Sequence, residues 1–189
     1  DGRHQRGTRG SPGRGDGPRM TGLAESYDAC RRIARRHGTT YFWAAALLPR
    51  ARRRHVWALY ALARVADDIV DELGDAPAAT RSAALADFEQ RFFRGLDTGR
   101  SDHPVLAAAV ETARNLDIDR TCFEAFFRSM TMDLTITGYD TWHDLLVYMD
   151  GSAAAIGEMM LPVLAPITPA ALGPARDLER RVDRLRPLG

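Results

Sequence analysis

Apolar side chains recur at intervals of three and four residues through most of this 189-residue chain, and that period limits what the chain can form. Such spacing is typical of amphipathic helices, whereas half-buried strands alternate apolar and polar residues. The clearest pattern lies in the segment 50–73 and comprises Val56, Leu59, Ala63, Ala66 and Val70. Alternating patterns are almost absent, so we predict an all-α architecture. The predicted helices cover residues 24–36, 50–73, 80–94, 104–115, 120–137, about 142–164 and 174–186.

Local signals mark two helix starts and one region of close packing. Asp119 is predicted to cap the helix at 120–137, because its carboxylate can accept a backbone N–H. Thr141 begins “TWHD”, a Thr-x-x-Asp variant of the capping box, ahead of the next helix. That helix contains “GSAAAIG” at residues 151–157, whose small side chains would let another helix or a ligand approach closely.

The first 19 residues differ in composition from the rest of the chain. They contain no large apolar side chain and are rich in glycine, proline and arginine. Such a segment cannot bury enough surface to offset the entropy of ordering it, so we expect residues 1–19 to be disordered. They are either a basic arm for RNA or acidic lipid or a non-native extension before Met20, and we favour the extension. Residues 20–189 are expected to form one helical domain.

Composition argues against several classes of protein. The formal net charge is +1, so no nucleic-acid partner is expected. Cys30 and Cys122 lie in predicted helices without a CxxC or Cys/His cluster, which favours buried free thiols over a disulfide or a zinc site. No apolar run approaches the ~20 residues of a membrane-spanning helix, and no signal peptide is visible. We therefore expect a cytoplasmic protein, with peripheral contact at the inner face of the membrane as an open alternative.

The segment “RVADDIVDELGD”, residues 64–75, places five acidic residues among apolar ones at the end of the long predicted helix. On a helix, the positions i, i+4, i+7 and i+11 form one stripe, which here contains Tyr60, Arg64, Asp67 and Asp71. Two carboxylates one turn apart repel each other unless a cation lies between them. Mg²⁺ takes oxygen ligands and is usually held by one or two carboxylates together with water and substrate phosphates. The stripe therefore predicts a metal-bound diphosphate, with Arg64 on the phosphate and Tyr60 as a hydrogen-bond donor or the neighbour of a cationic centre.

Two other structures could use these acids. A solvated acidic face is the usual role of charges at a helix end, and Asp68, Glu72 and Asp75 form a neighbouring stripe of that kind. A di-iron helical bundle also uses helix carboxylates, but it needs Glu-x-x-His motifs, which this chain lacks. The acids of the first stripe continue an arginine and a tyrosine on a largely apolar helix, which favours the diphosphate site.

The same region resembles the N-terminal part of the phytoene/squalene synthase family. The likeness is carried by “YDAC” at 27–30, “TTYFWAA” at 39–45, “LLP” at 47–49, the basic run before “VWALYAL”, and “ARVADDIVDE” at 63–72. A looser likeness continues through “MTMDL” at 130–134 and “LVYMDGSAAAIGEMMLPVL” at 146–164.

This resemblance implies an isoprenoid-synthase-type helical bundle around a central cavity. It also implies a prenyltransferase of carotenoid biosynthesis that joins two prenyl diphosphates head to head, with Mg²⁺ (or Mn²⁺) assisting the loss of diphosphate. The block “GTTYFWAAALLP” favours geranylgeranyl diphosphate as substrate and phytoene as product. Squalene or hydroxysqualene synthase, acting on farnesyl diphosphate, is the alternative, and only the squalene-type reaction would use NADPH.

Carried over by position, the resemblance gives the metal ligands as Asp67 and Asp71. The catalytic residues it implies are Tyr60, Arg64 and Tyr148. The substrate-binding residues it implies are Tyr41 at the cavity wall, Arg64 at the diphosphate, and the small residues Ala153 and Gly157, which leave room for the prenyl chain. Core packing with one satisfied hydroxyl is the alternative role of Tyr41 and Tyr148.

The sequence departs from the family in two places. Gly38 stands where many members have a serine near the phosphates. After Pro166 no second Asp-x-x-x-Asp motif follows, because Asp177 and Asp183 have the wrong spacing, and the chain is about 100 residues shorter than a full member. We therefore expect a fold that is incomplete at its C-terminus. The alternative to an active enzyme is an inactive helical fragment or one half of a two-chain assembly.

Overall fold

The computed structural model of the chain describes residues 22–71, 76–136 and 138–165. All regular structure in these ranges is helical, as predicted. The helices are α1 (Leu23–His37), α2 (Thr39–Ala45), α3 (Arg50–Asp71), α4 (Ala78–Thr98), α5 (Pro104–Asn115), α6 (Arg120–Asp133), α7 (Trp142–Met149) and α8 (Ala155–Leu164), and a π-helical turn (Asp150–Ala154) joins α7 to α8.

The helix boundaries agree with the sequence patterns in most places. The starts of α6 and α7 are capped as predicted, since the Asp119 side chain accepts from Thr121 N and the Thr141 side chain accepts from Asp144 N. Two predictions were wrong: α6 ends at Asp133 rather than near 137, and α2 was not anticipated. The expected arm 1–19 and the expected helix 174–186 lie outside the described residues.

Helix α3 lies at the centre of the bundle, where it packs against α1, α5, α4 and α8. Its apolar stripe is buried as the spacing predicts, except that Ala63 is only partly buried. The buried members are Val56, Leu59, Ala66 and Val70. Because removing this apolar area from water stabilises the fold, α3 is held firmly enough to present its remaining, polar side to a ligand.

Aromatic packing fixes α6 against α4. The rings of Phe92 and Phe123 lie with their centroids 4.7 Å apart, and Phe127 contacts Phe88, Phe92 and Phe93. Such tilted and edge-on pairs add to the stabilisation from burial alone. The aromatic contacts therefore hold the C-terminal part of α6 in a fixed position against α4.

An arginine joins the start of α3 to the end of α8. The Arg52 guanidinium donates to the Pro162 carbonyl at 3.0 Å and to the Val163 carbonyl. These are carbonyls in the last turn of a helix, which lack partners inside the helix and attract positive charge. This contact holds the C-terminal end of the run 142–164 against α3, the helix that also carries the acidic stripe.

A buried polar group links α1, α3 and α5. The Tyr27 hydroxyl lies 3.1 Å from Thr112 Oγ1, and His55 Nδ1 lies 3.0 Å from the same oxygen. Arg54 Nε donates to His55 Nε2 at 3.4 Å, so Nε2 is the acceptor nitrogen and the imidazole is neutral. Burial, with Arg54 and Arg52 nearby, lowers the pKa of His55 to about 4.

We expect the protein to lose stability as the pH falls from 6.5 towards 4, because the unfolded chain then binds a proton that folded His55 excludes. Its contribution is complete above pH 6.5, and about 2 kcal/mol of it should be lost by pH 5. Urea unfolding at pH 7.5 and pH 5 measures this loss. His55→Gln, which cannot take up the proton, should show a smaller loss over the same interval; equal losses in both proteins would exclude His55 as the cause.

Within the described residues, the structure agrees with two predictions made from composition: that the cysteines are free and buried, and that no apolar segment is long enough to span a membrane. Cys30 and Cys122 are both buried and free, as predicted. Burial raises the pKa of the Cys30 thiol to about 12 and that of Cys122 to about 11, so neither is poised as a nucleophile. None of the described helices combines the length and apolar character needed to cross a bilayer.

Candidate functional site

The predicted stripe lies on the last three turns of α3. Tyr60, Arg64 and Asp67 are half-buried, and Asp71 is exposed at the end of the helix. The side chains influence one another electrostatically along the stripe, Arg64 acting on both Tyr60 and Asp67, and Asp71 acting on Asp67. The spacing in sequence has therefore placed the four polar groups together.

Asp67 is the most perturbed carboxylate of this site. Burial raises its pKa to about 6; Arg64 opposes the rise, and the charges of Asp71, Asp68 and Asp133 add to it. The ionised form of Asp67 is thus costly because the carboxylate is partly removed from water and because three other carboxylates lie near it. A bound cation would relieve that cost.

Arg64 is engaged by a carboxylate outside the stripe. Its Nη2 lies 2.5 Å from Asp68 Oδ1, one turn along α3. Asp68 belongs to the neighbouring acidic stripe, and an i,i+4 pair of this kind is typical of a solvated acidic face; the contact of Arg64 with a phosphate stays a prediction. Both side chains are about 29% exposed, and the pair leaves the guanidinium beside Asp67. Arg64 therefore stands between the two acidic stripes.

Asp133, the last residue of α6, joins the site although the sequence analysis did not select it. It accepts a hydrogen bond from the Tyr148 hydroxyl at 3.3 Å, and it influences Asp67 and is influenced by Asp71. Burial raises the pKa of Asp133, the Tyr148 hydrogen bond lowers it, and Asp71 raises it. The motif “MTMDL” contained a signal for this residue. A negative charge at a helix C-terminus interacts unfavourably with the helix dipole, so an aspartate there suggests a functional role instead of a stabilising one.

Tyr148 projects from α7 towards this aspartate. Its ring lies 5.3 Å from that of Tyr139, and burial together with the Asp133 hydrogen bond raises the pKa of its hydroxyl, while a hydrogen bond with Ser152 lowers it. The predicted alternative for Tyr148, a core tyrosine with one satisfied hydroxyl, does not fit a half-buried side chain hydrogen-bonded to a site carboxylate. The structure thus brings Tyr148 to the carboxylates of α3 by way of Asp133.

Tyr41 lies at the other end of the stripe. Its ring centroid is 5.7 Å from that of Tyr60, and its side chain is 62% exposed. Next to this pair is Gly38, where a Cβ would lie 2.5 Å from Tyr60 Cζ. The space that a serine would need at this position is therefore occupied by the tyrosine ring.

The small residues of “GSAAAIG” serve two different purposes in the fold. Ala153 and Gly157 are exposed, and a Cβ on Gly157 would meet nothing within 4 Å. Gly151 is buried, and a Cβ there would lie 2.3 Å from the Ala125 carbonyl oxygen of α6. The close approach of another helix, predicted for this segment, occurs at Gly151. The role of Ala153 and Gly157 towards a prenyl chain, and the enclosed cavity, stay predictions.

The carboxylates of Asp67 and Asp71 suit a hard divalent cation that takes only some of its ligands from the protein. Within the three described ranges, no three acidic, histidine or cysteine side chains are arranged to hold a metal ion by themselves. Asp67 and Asp71 offer carboxylate oxygens alone, which is the chemistry that Mg²⁺ or Mn²⁺ accepts. Because Mg²⁺ commonly completes its shell with water and substrate phosphates, these two residues fit a cation that arrives with a diphosphate.

A family model described as squalene/phytoene synthase matches residues 34–185, which include the whole of α3 and the run 142–164. The chain belongs to the squalene/phytoene synthase family. The resemblance seen in the sequence motifs is thereby confirmed, and the site described above lies inside the matched region.

Curated members of the family include several similar proteins. The 15-cis-phytoene synthase of Synechococcus elongatus is 32% identical over 145 residues, which cover 77% of this chain and 46% of that protein. Phytoene synthase 1 of Zea mays, a chloroplast protein, is 33% identical over 81% of this chain and 36% of its own length. The chain thus spans half or less of the length of these curated relatives.

Solved structures show the same fold. A squalene synthase from Alicyclobacillus acidocaldarius superposes with a TM-score of 0.68 at 27% identity, covering 82% of this chain and 56% of that one. A dehydrosqualene synthase solved with a ligand gives the same TM-score at 24% identity, covering 82% and 53%. The all-α isoprenoid-synthase fold predicted from the motifs is therefore confirmed for this squalene/phytoene synthase family member.

Proposed function

We propose that this chain binds a prenyl diphosphate through the α3 stripe and belongs to an enzyme that joins two geranylgeranyl diphosphates head to head into phytoene. The observation that carries the proposal is the placement of Tyr60, Arg64, Asp67 and Asp71 along one side of α3. Support for phytoene as product comes from the curated relatives named above, which are phytoene synthases.

In this proposal Arg64, Asp67 and Asp71 act on the diphosphate end of the substrate. Asp67 and Asp71 hold the divalent cation on which the family generally depends, and Arg64 contacts a phosphate oxygen. A divalent cation held there would supply charge neutralisation to the leaving diphosphate. Asp67 favours this arrangement, because burial and the neighbouring carboxylates raise the pKa of its carboxyl to about 6, and a cation would stabilise its ionised form against both effects.

The tyrosine rings act on the allylic carbon that loses diphosphate, and the Tyr60 hydroxyl lies on the diphosphate side. Loss of diphosphate from one substrate leaves an allylic cation. The double bond of the second substrate attacks it, and loss of a proton closes the ring of a cyclopropylcarbinyl diphosphate. Loss of this second diphosphate, rearrangement and loss of another proton then give phytoene. Aromatic faces stabilise cations, and the Tyr41 and Tyr60 rings lie together at one end of the stripe. Tyr148 donates its proton to Asp133 and accepts a hydrogen bond from Ser152, so one lone pair of its oxygen is left to face a cation. Ala153 and Gly157 would leave room for the prenyl chain.

The alternative substrate is farnesyl diphosphate, with squalene or hydroxysqualene as product. It is favoured by the structural similarity to a squalene synthase at 27% identity. A second alternative concerns this chain rather than the family: it spans about half of its relatives, and half of the site would then come from another segment or a second chain.

The deciding experiment incubates the chain with Mg²⁺ and either geranylgeranyl or farnesyl diphosphate, and measures hydrocarbon products and released diphosphate. We expect Mg²⁺-dependent turnover of geranylgeranyl diphosphate to phytoene, and none in excess chelator. Product from farnesyl diphosphate alone would replace phytoene by the squalene-type alternative. Binding of substrate without any product would show that the chain holds the site and lacks the remaining catalytic groups.

A further inference from the structure

The backbone between α1 and α2 lies directly against the ring of Tyr60. A Cβ on Gly38 would be 2.5 Å from Tyr60 Cζ and 2.8 Å from both Cε2 and the hydroxyl oxygen. Real side chains do not approach so closely, so a side chain at position 38 and the Tyr60 ring exclude each other in this arrangement. Gly38 has φ −112°, which any residue can adopt, and the requirement for glycine is therefore one of space.

The backbone at Gly38 has no easy direction in which to move. The Gly38 N–H donates to the Ala34 carbonyl at 2.9 Å, and its own carbonyl accepts from Phe42 N at 2.7 Å, which fixes the backbone to α1 and α2. The Tyr60 ring is confined on another side by Tyr41, 5.7 Å away between centroids. An added side chain would therefore push the Tyr60 ring out of its position beside Arg64.

We propose that Gly38 is a positioning residue for Tyr60: it leaves open the space in which the tyrosine hydroxyl lies, so that this hydroxyl takes the place a side chain at position 38 would fill beside the diphosphate. The proposal rests on the proposed function for its diphosphate. The contact between Gly38 and Tyr60 is independent of that function and can be tested separately.

A double-mutant cycle tests the proposal, using the full chain, Gly38→Ala, Tyr60→Ala and the variant with both changes. The ligand is inorganic pyrophosphate with Mg²⁺, measured by calorimetry. We expect Gly38→Ala to weaken binding about tenfold in the parent chain and less than twofold when Tyr60 is already alanine, because the clash is then gone. Equal weakening in both backgrounds, or none in the parent, would overturn the proposal. Gly22→Ala is the matched control, since a Cβ there meets nothing within 4 Å.

The same four proteins are compared by thermal unfolding, which needs no ligand. Gly38→Ala should lower the Tm by about 5 °C in the parent chain, and removal of the Tyr60 ring should cancel most of that decrease. If the parent binds no pyrophosphate but this cycle shows the cancellation, the proposed function fails and the contact stands. If Gly38→Ala lowers the Tm equally with and without the ring, or the doubly changed chain does not fold, Gly38 does not act through Tyr60.

Discussion

Replacing both Asp67 and Asp71 by alanine should abolish Mg²⁺-dependent binding of diphosphate to this chain. The two carboxylates lie one helical turn apart, and each repels the other in the absence of a cation. Removing them deletes the protein ligands of the proposed cation and leaves the fold intact, because Asp71 is exposed and Asp67 only half-buried. We expect the Kd for pyrophosphate with Mg²⁺ to rise roughly 100-fold or more, equivalent to about 2.7 kcal/mol.

Calorimetric titration with pyrophosphate, in Mg²⁺ and in chelator, measures the effect. The control is Asp87→Ala/Asp97→Ala on α4, which removes the same net charge from exposed helix positions that pair with Arg91 and Arg120. Binding by the control should match the parent chain. If the Asp67/Asp71 variant still binds pyrophosphate, these residues are not the metal ligands. If both variants lose binding to the same extent, binding depends on the net charge of the chain and not on these two positions.

Much of this site was predictable because it lies on one continuous helix. The positions i, i+4, i+7 and i+11 share a face whatever surrounds the helix, so Tyr60, Arg64, Asp67 and Asp71 could be grouped from spacing alone. The apolar stripe on the other side of α3 was predictable for the same reason and is buried as expected, apart from Ala63.

Contacts between helices were harder to foresee. Asp133 and Tyr148 are 15 residues apart on different helices, and their hydrogen bond depends on how α7 crosses the end of α6. Nothing in the periodicity of either helix encodes that crossing, because period specifies a buried face and not the identity of its neighbour. The ion pair of Arg64 with Asp68 was missed for a related reason, since several acids lie within reach of one arginine.

Helix α2 was missed because its stability is not local. The segment “TTYFWAA” contains β-branched and aromatic residues with weak helix propensity. It is held by packing instead: the Phe42 ring stacks on Trp57 of α3 with centroids 5.7 Å apart, and the Tyr41 ring lies against Tyr60. Tertiary contacts of this kind override propensity, and they bring Tyr41 to the site.

Replacing Gly151 by alanine should cost the fold about 2–4 kcal/mol, more than any other single methyl group added to the run 142–164. The new Cβ would lie 2.3 Å from the Ala125 carbonyl oxygen and 2.8 Å from Ser129 Cβ. The obstacle is the backbone of α6, which aromatic packing against α4 holds in place, so the π-helical turn must move away from it. Movement of that turn would also displace Tyr148, which lies two residues before it, from Asp133.

Gly157 is the matched control for this change. It lies six residues later in the same helical run, is exposed, and has open space where a Cβ would be added. Gly157→Ala should therefore be neutral or stabilise the protein by up to about 1 kcal/mol, because alanine is the better helix former. Urea unfolding should therefore separate the two variants by about 2–5 kcal/mol, with Gly151→Ala less stable than the parent chain and Gly157→Ala as stable or slightly more stable. If both variants unfold like the parent, α6 does not pack against the π-helical turn as closely as the structure indicates. The packing of Gly151 on α6 would then not be what positions Tyr148 for its hydrogen bond to Asp133.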